Sequence, residues 1–175
     1  IMEYRYEQLK VWIDLFAEIG VDGVYTGDAS ASCSLFSPNT YKNLFFEYQK
    51  KSIEYIHKKG LKALLHICGK ISGILELMAD TGADVIESLD TFSAGGDIDL
   101  GEAKKRVGNK VCLKGNIDAV HVILSGPPEK IYDVCMDALR NAGMNGGYIF
   151  STEQLTRDTS KEHVLAMVQA RDDFS

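Results

Sequence analysis

Proline is scarce in this 175-residue sequence, with three in all, and no stretch approaches the roughly 20 consecutive apolar residues of a membrane helix. Collagen-like and proline-rich disordered chains are thereby excluded, and no membrane span is expected. The N-terminus lacks the apolar run of a signal peptide, since Glu3, Arg5 and Glu7 interrupt it, so a cytoplasmic location is expected. Positive charge is short as well. The balance of 19 Lys+Arg against 25 Asp+Glu gives a net charge of −6 without a basic stripe, which argues against nucleic acid as a partner. The sequence has no GxGxxG on a strand-to-helix turn, no Walker A motif, no nucleophile elbow and no HExxH, which demotes nucleotide binding, P-loop chemistry and serine hydrolysis. Cys33, Cys68, Cys112 and Cys135 are widely spaced and lie mostly in apolar or regular segments, so a disulfide framework is not expected.

What remains is an ordinary globular composition, 45% hydrophobic, on a length that suits one domain spanning 1–175. Five short apolar, β-branched runs at 22–26, 62–67, 84–88, 110–114 and 147–151 read as strands. Their near-continuous apolar character predicts parallel strands buried on both faces. Amphipathic stretches at 2–19, 38–59, 71–81, 98–107, 128–142 and 160–172 read as helices, with Met2, Trp12 and Phe16 on a core face. Ser37-Pro38 and Pro127-Pro128-Glu129 are helix starts, and Gly20, Gly60, Gly82, Gly108 and Gly143 sit where helices end. The expected fold is α/β, with repeated βα units, five parallel strands and six helices.

In such folds ligands bind at the carboxyl ends of the strands, and here every strand end carries polar or ionisable groups. They are Thr26-Gly27-Asp28, His66-Ile67-Cys68-Gly69, Glu87-Ser88-Leu89-Asp90, Lys114-Gly115-Asn116-Ile117-Asp118 and Ser151-Thr152-Glu153-Gln154. An extended His-x-Cys sets an imidazole and a thiol on one strand face, two of the three protein ligands of a catalytic zinc site. The alternative is a buried thiol beside a capping histidine. Asp28, Glu87, Asp90, Asp118 and Glu153 would converge on the same mouth as oxygen ligands, acid–base groups or partners of His66. Asp90 and Asp118 are equally well explained as caps of the helices that follow. Cys33 lies in a small-residue loop within reach of the mouth, Cys112 and Cys135 read as core thiols, and His57 and Asn109 read as solvated helix-end groups.

The order and spacing of Gly27-Asp28, Ser37-Pro38 with Tyr41, His66-Ile67-Cys68-Gly69, Gly82-Ala83-Asp84, Lys114-Gly115-Asn116-Ile117-Asp118 and Leu124-Ser125-Gly126-Pro127-Pro128-Glu129 resemble the uroporphyrinogen decarboxylase superfamily over nearly the whole chain. The His-x-Cys-Gly is similar to its branch of cobalamin-dependent methyltransferases. That resemblance implies the C-terminal part of a TIM (β/α)8 barrel, roughly strands four or five to eight. It also implies methyl transfer between a corrinoid on a partner protein and a thiol, or a methoxylated or methylated small molecule, at a Zn²⁺ site. Zinc-type members use His-x-Cys plus a later Cys in a Ser-Thr-x-Cys-like segment, which here reads Ser151-Thr152-Glu153-Gln154 without the cysteine. His66, Cys68 and Glu153 are therefore the metal candidates, although the spacing leaves Glu153 and Gln154 as competitors for the third position. Asp28, Glu87 and Asp118 are the catalytic candidates, and Asn116 and Asp90 the substrate-binding ones. The decarboxylase branch is the alternative. It shares the Gly115-Asn116-Ile117-Asp118 pattern, but its Asp-Ser-Trp is Asp28-Ala29-Ser30 here and its Arg-rich substrate segment has no counterpart. A third reading is a catalytically inactive partial barrel acting in assembly. Five unclosed strands leave two open edges, so a homo-oligomer or a completing chain is expected.

Overall fold

A computed structural model describes residues 1–174. Helices and strands alternate along the chain, except that two helices lie between the first and second strands. Helix α1 (Met2–Ile19) precedes β1 (Gly23–Gly27), then α2 (Pro38–Leu44), α3 (Phe46–Lys58) and β2 (Lys62–Ile67). These are followed by α4 (Leu75–Asp80), β3 (Val85–Ser88), α5 (Leu100–Val107), β4 (Cys112–Ile117), α6 (Pro128–Ala142), β5 (Tyr148–Thr152) and α7 (Lys161–Phe174). The five strands form one parallel sheet in the order β1-β2-β3-β4-β5, the succession of βα units of a (β/α) barrel. Five of the six expected helical stretches hold one helix each, and 38–59 is divided at Phe45, whose ring packs on Phe36 at 5.1 Å between centroids. Among the described residues no helix is long and apolar enough to cross a membrane.

Local signals behave as their chemistry demands. Ser37 Oγ accepts from the Thr40 amide at 3.1 Å to start α2, and Asp99 Oδ1 accepts from the Glu102 amide at 3.0 Å to start α5. Gly20 ends α1 in the left-handed conformation, at φ 77°. Helix α6 buries Ile131, Cys135, Met136, Ala138, Leu139 and Ala142, a continuous stripe at helical spacing. Trp12 departs from its expected place in the core. It is 57% exposed, because α1 turns Ile13 inward against α3 and leaves Trp12 outside, resting near Phe16.

The two faces of the sheet differ, and this corrects the expectation of strands buried on both sides. Ala63, Leu65 and Ile67 of β2, and Leu113 and Ile117 of β4, are buried on the helix-covered face. The alternate residues point the other way, where Tyr25 and Ile149 are 54% and 41% exposed. Only β3, at the centre of the sheet, is buried at every position. Close packing of β3 on β4 requires glycine at 115, where φ is 137° and a Cβ would lie 2.2 Å from the Ser88 carbonyl oxygen.

Asp84 ties three elements together at the opposite end of the sheet. Its Oδ2 accepts from the Ala63 amide at 2.9 Å and meets His57 Nε2 at 2.7 Å, while Lys62 Nζ donates to Oδ1 at 2.8 Å. His57 is thus a structural partner and not merely a solvated helix end. Burial raises the Asp84 carboxyl, but these bonds outweigh it and lower the pKa from 3.8 to about 2. A carboxylate depressed in the folded state stabilises above its unfolded pKa, and that stabilisation is lost as pH falls through the folded value. Asp84→Ala is therefore expected to cost about 2 kcal/mol at pH 7, from the lost charge-assisted bonds. Urea unfolding should show the gap from wild type closing between pH 4 and pH 2, and a pH-independent gap would contradict this assignment.

Candidate functional site

Parallel pairing sets one residue from each of three adjacent strands at the same height on the uncovered face. His66 on β2 lies directly opposite Glu87 on β3, and the pairing of Ile86 with Leu113 brings Lys114 of β4 beside Glu87. Adjacent strands lie under 5 Å apart by about the usual 4.7–4.9 Å spacing, so the three side chains must interact. Glu87 Oε1 meets His66 Nδ1 at 3.1 Å, and Lys114 Nζ donates to Glu87 Oε2. The far nitrogen of the ring, His66 Nε2, lies 2.9 Å from Cys68 Sγ. A carboxylate only accepts, so Nδ1 carries the proton, and in the neutral ring Nε2 is the acceptor of the Cys68 thiol.

These residues border a cavity of about 410 Å³ with Tyr25, Ser88, Ser151, Thr152, Glu153 and Gln154. The Tyr25 ring lies against that of His66 at 5.2 Å between centroids. His66, with Lys114 opposing the cost of burial, holds the Glu87 carboxyl below the usual carboxylate range. Burial, together with Asp90 and Glu153, raises the Cys68 thiol. A side-chain hydrogen bond with Asp90, together with burial, raises the Glu153 carboxyl to about 7. Asp90 stands behind the cavity wall, with Ser88 Oγ donating to its Oδ1 and the Gly69 amide to its Oδ2, both at 2.5 Å.

The structure thus brings His66, Cys68, Glu87 and Glu153 around one cavity, with Asp90 adjoining. It places Asp28, Asn116 and Asp118 elsewhere. Asp28 leaves β1 near Gln49 of α3, where burial raises its carboxyl against the pull of Gln49. Asn116 Nδ2 donates to the Leu89 carbonyl at 3.0 Å and so supports a non-glycine residue held at φ 61°. Asp118 caps the turn 119–124: Oδ1 accepts from the Val120 and His121 amides at 2.9 and 2.8 Å, and Oδ2 from Ser93 Oγ at 2.6 Å. Asn116 and Asp118 border a second, smaller cavity of about 190 Å³. Cys33 packs beside Gly73, outside the main cavity lining. Lys114, Tyr25 and Ser88 also border the cavity; the sequence placed Lys114 and Ser88 at strand ends without giving them a role, and did not single out Tyr25. For Lys114 the available signal was its strand-end position three residues after Val111, on the same face as Asn116.

Sulfur and nitrogen donors converging, with the second ring nitrogen held by a carboxylate, is the donor chemistry zinc prefers. His66 and Cys68 therefore fit two positions of a zinc ion. Among the described residues no group of three His, Cys, Asp or Glu is gathered closely enough to hold a metal, so Glu153 borders the same cavity without completing the set.

Consecutive parallel βα units in one unclosed five-stranded sheet are part of a (β/α) barrel, a fold that carries its sites at the carboxyl ends of the strands. The chain belongs to the uroporphyrinogen decarboxylase (URO-D) family, whose pattern it matches over residues 1–174. It is 30% identical to methylcobamide:CoM methyltransferase MtaA of Methanosarcina barkeri over 96% of this chain and 46% of that protein. It is also 31% identical to the uroporphyrinogen decarboxylase of Trichodesmium erythraeum over 73% of this chain and 34% of that protein. A solved methyltransferase from Methanosarcina mazei superposes with a TM-score of 0.82 at 26% identity, covering 97% of this chain and 47% of that one. The chain spans less than half the length of these relatives.

The capping geometry predicts that Asp118→Ala lowers stability by about 1–2 kcal/mol, the usual cost of a lost N-cap. Thermal unfolding checks this, and an unchanged melting curve would contradict the capping role.

Proposed function

We propose that this chain carries the site of a corrinoid-linked methyltransferase, moving a methyl group between a corrinoid on a separate protein and a thiol or a methoxylated or methylated small molecule. The observation that carries the proposal is the pair His66 Nε2 and Cys68 Sγ, 2.9 Å apart at the end of β2. Similarity to a protein named methylcobamide:CoM methyltransferase supports it. His66 and Cys68 are the residues that would hold Zn²⁺, with Glu153 the candidate for a third position only if its side chain moves towards them, and the ion would make a bound thiol a thiolate at neutral pH or act as a Lewis acid on a methoxy oxygen.

The chain's own residues do the rest. Glu87 accepts a hydrogen bond from the Nδ1–H of His66, which leaves the Nε2 lone pair directed at Cys68. Asp90 and burial raise the Glu153 carboxyl to about 7, so Glu153 would have to give up its proton to serve as a ligand. Tyr25 of β1 and Thr152 of β5 also line the cavity. All four cysteines are free, which suits the reducing cytoplasm we propose as its location. The open edges at β1 and β5, with exposed Val11, Trp12 and Ile19 on α1, lead us to propose that the chain self-associates or pairs with a completing chain.

The decarboxylase reading keeps one specific support, since decarboxylase relatives match at the same level of identity. Its Asn116 is turned to a backbone carbonyl instead of the main cavity. Two measurements separate the readings. Purified wild type is expected to hold zinc that His66→Ala and Cys68→Ser lose, and a wild type holding no more zinc than the variants would sink the proposal. Uroporphyrinogen incubated with the protein is expected to keep its carboxylates by mass spectrometry, whereas their loss would favour the decarboxylase.

A further inference from the structure

The zinc-type reading explains why His66 and Cys68 meet, but not why a lysine stands two residues away across the row. Glu87 is an expensive group to place here. Its side chain is 8% exposed, at the centre of the sheet, on the strand buried at every position. A buried carboxylate needs a counter-charge and bonds to both oxygens. Of its two oxygens, Oε1 faces His66 and Oε2 accepts from Lys114 Nζ. Among the described residues bordering the cavity, Lys114 is the one lysine or arginine. The carboxyl group is planar, so fixing Oε2 also fixes the direction of Oε1 and with it the ring of His66.

We propose that Lys114 is a positioning residue, which acts through Glu87 to hold His66 as the Nδ1–H tautomer with its Nε2 lone pair presented beside Cys68. The register supports this independently of any metal. His66, Glu87 and Lys114 stand on three neighbouring strands at one height, and the central strand supplies the residue that touches both others. Without Lys114, Glu87 loses the partner of its Oε2 and the one lysine or arginine among the described residues bordering the cavity. With Oε2 unheld the carboxyl group can rotate, and Oε1 no longer keeps a set direction towards His66 Nδ1. Arginine at 114 would preserve the charge and the donors, while methionine would preserve length alone.

This inference builds on the methyltransferase reading for the purpose of the lone pair, but not for the relay itself. The test uses metal-free protein labelled with ¹⁵N-histidine, in which long-range ¹H–¹⁵N correlation spectra report the tautomer. Wild type and Lys114→Arg are expected to show His66 as the Nδ1–H form. Lys114→Met and Glu87→Gln are expected to show a mixture of tautomers, with circular dichroism confirming that each variant is folded. Lys114→Gln serves in place of Lys114→Met should the latter fail to fold. Titration with Co²⁺ gives a second readout, where a lost outer partner should weaken binding by about 10- to 100-fold and Lys114→Arg should restore it. A wild-type protein that takes up no Co²⁺ would count against the methyltransferase reading, and the tautomer spectra would then decide the relay alone. An unaltered His66 tautomer in folded Lys114→Met or Lys114→Gln would overturn the proposal.

Discussion

One buried carboxylate sets the geometry of the candidate site. Glu87 sits on the central strand, where burial is most complete, and is stable there because His66 and Lys114 each take one of its oxygens. That arrangement depends on parallel register, since a one-residue slip of β3 would turn Glu87 to the helix-covered face and replace it with Ile86 or Ser88. The register depends in turn on the close approach of β3 and β4 at Gly115, where any side chain would strike the Ser88 carbonyl. Backbone packing, a buried charge and the aim of an imidazole are thus links in one chain of causes.

Much of the fold was legible because it rests on local chemistry. Apolar runs, helix-ending glycines and the Ser37 cap each signal their element without help from distant residues. The division of 38–59 was not legible, since the break at Phe45 comes with a ring contact to Phe36 and leaves no glycine or proline as a mark. Trp12 misled for a related reason. Helical spacing defines a face, but only the packing partner, here α3, decides which side of that face is covered.

The site divides in the same way. His66 and Cys68 were legible because an i, i+2 pair on a strand shares a face whatever the fold. Lys114 and Tyr25 were not, because their importance comes from neighbours across strand pairs. Asp118 was ambiguous in sequence between a catalytic acid and a cap, and its oxygens are occupied by the Val120 and His121 amides and Ser93. Asn116 carries a family motif yet is turned to the Leu89 carbonyl. Membership in the uroporphyrinogen decarboxylase family leaves two chemistries in view, since relatives of both names match at similar identity.

The central claim is that His66 and Cys68 present nitrogen and sulfur to one metal ion. X-ray absorption at the zinc edge of the zinc-loaded protein addresses it directly. The account predicts a shell containing one sulfur at about 2.3 Å, with nitrogen and oxygen neighbours at about 2.0–2.2 Å. The sulfur contribution should vanish in Cys68→Ser. A wild-type spectrum with no sulfur neighbour, or one unchanged by Cys68→Ser, would contradict it.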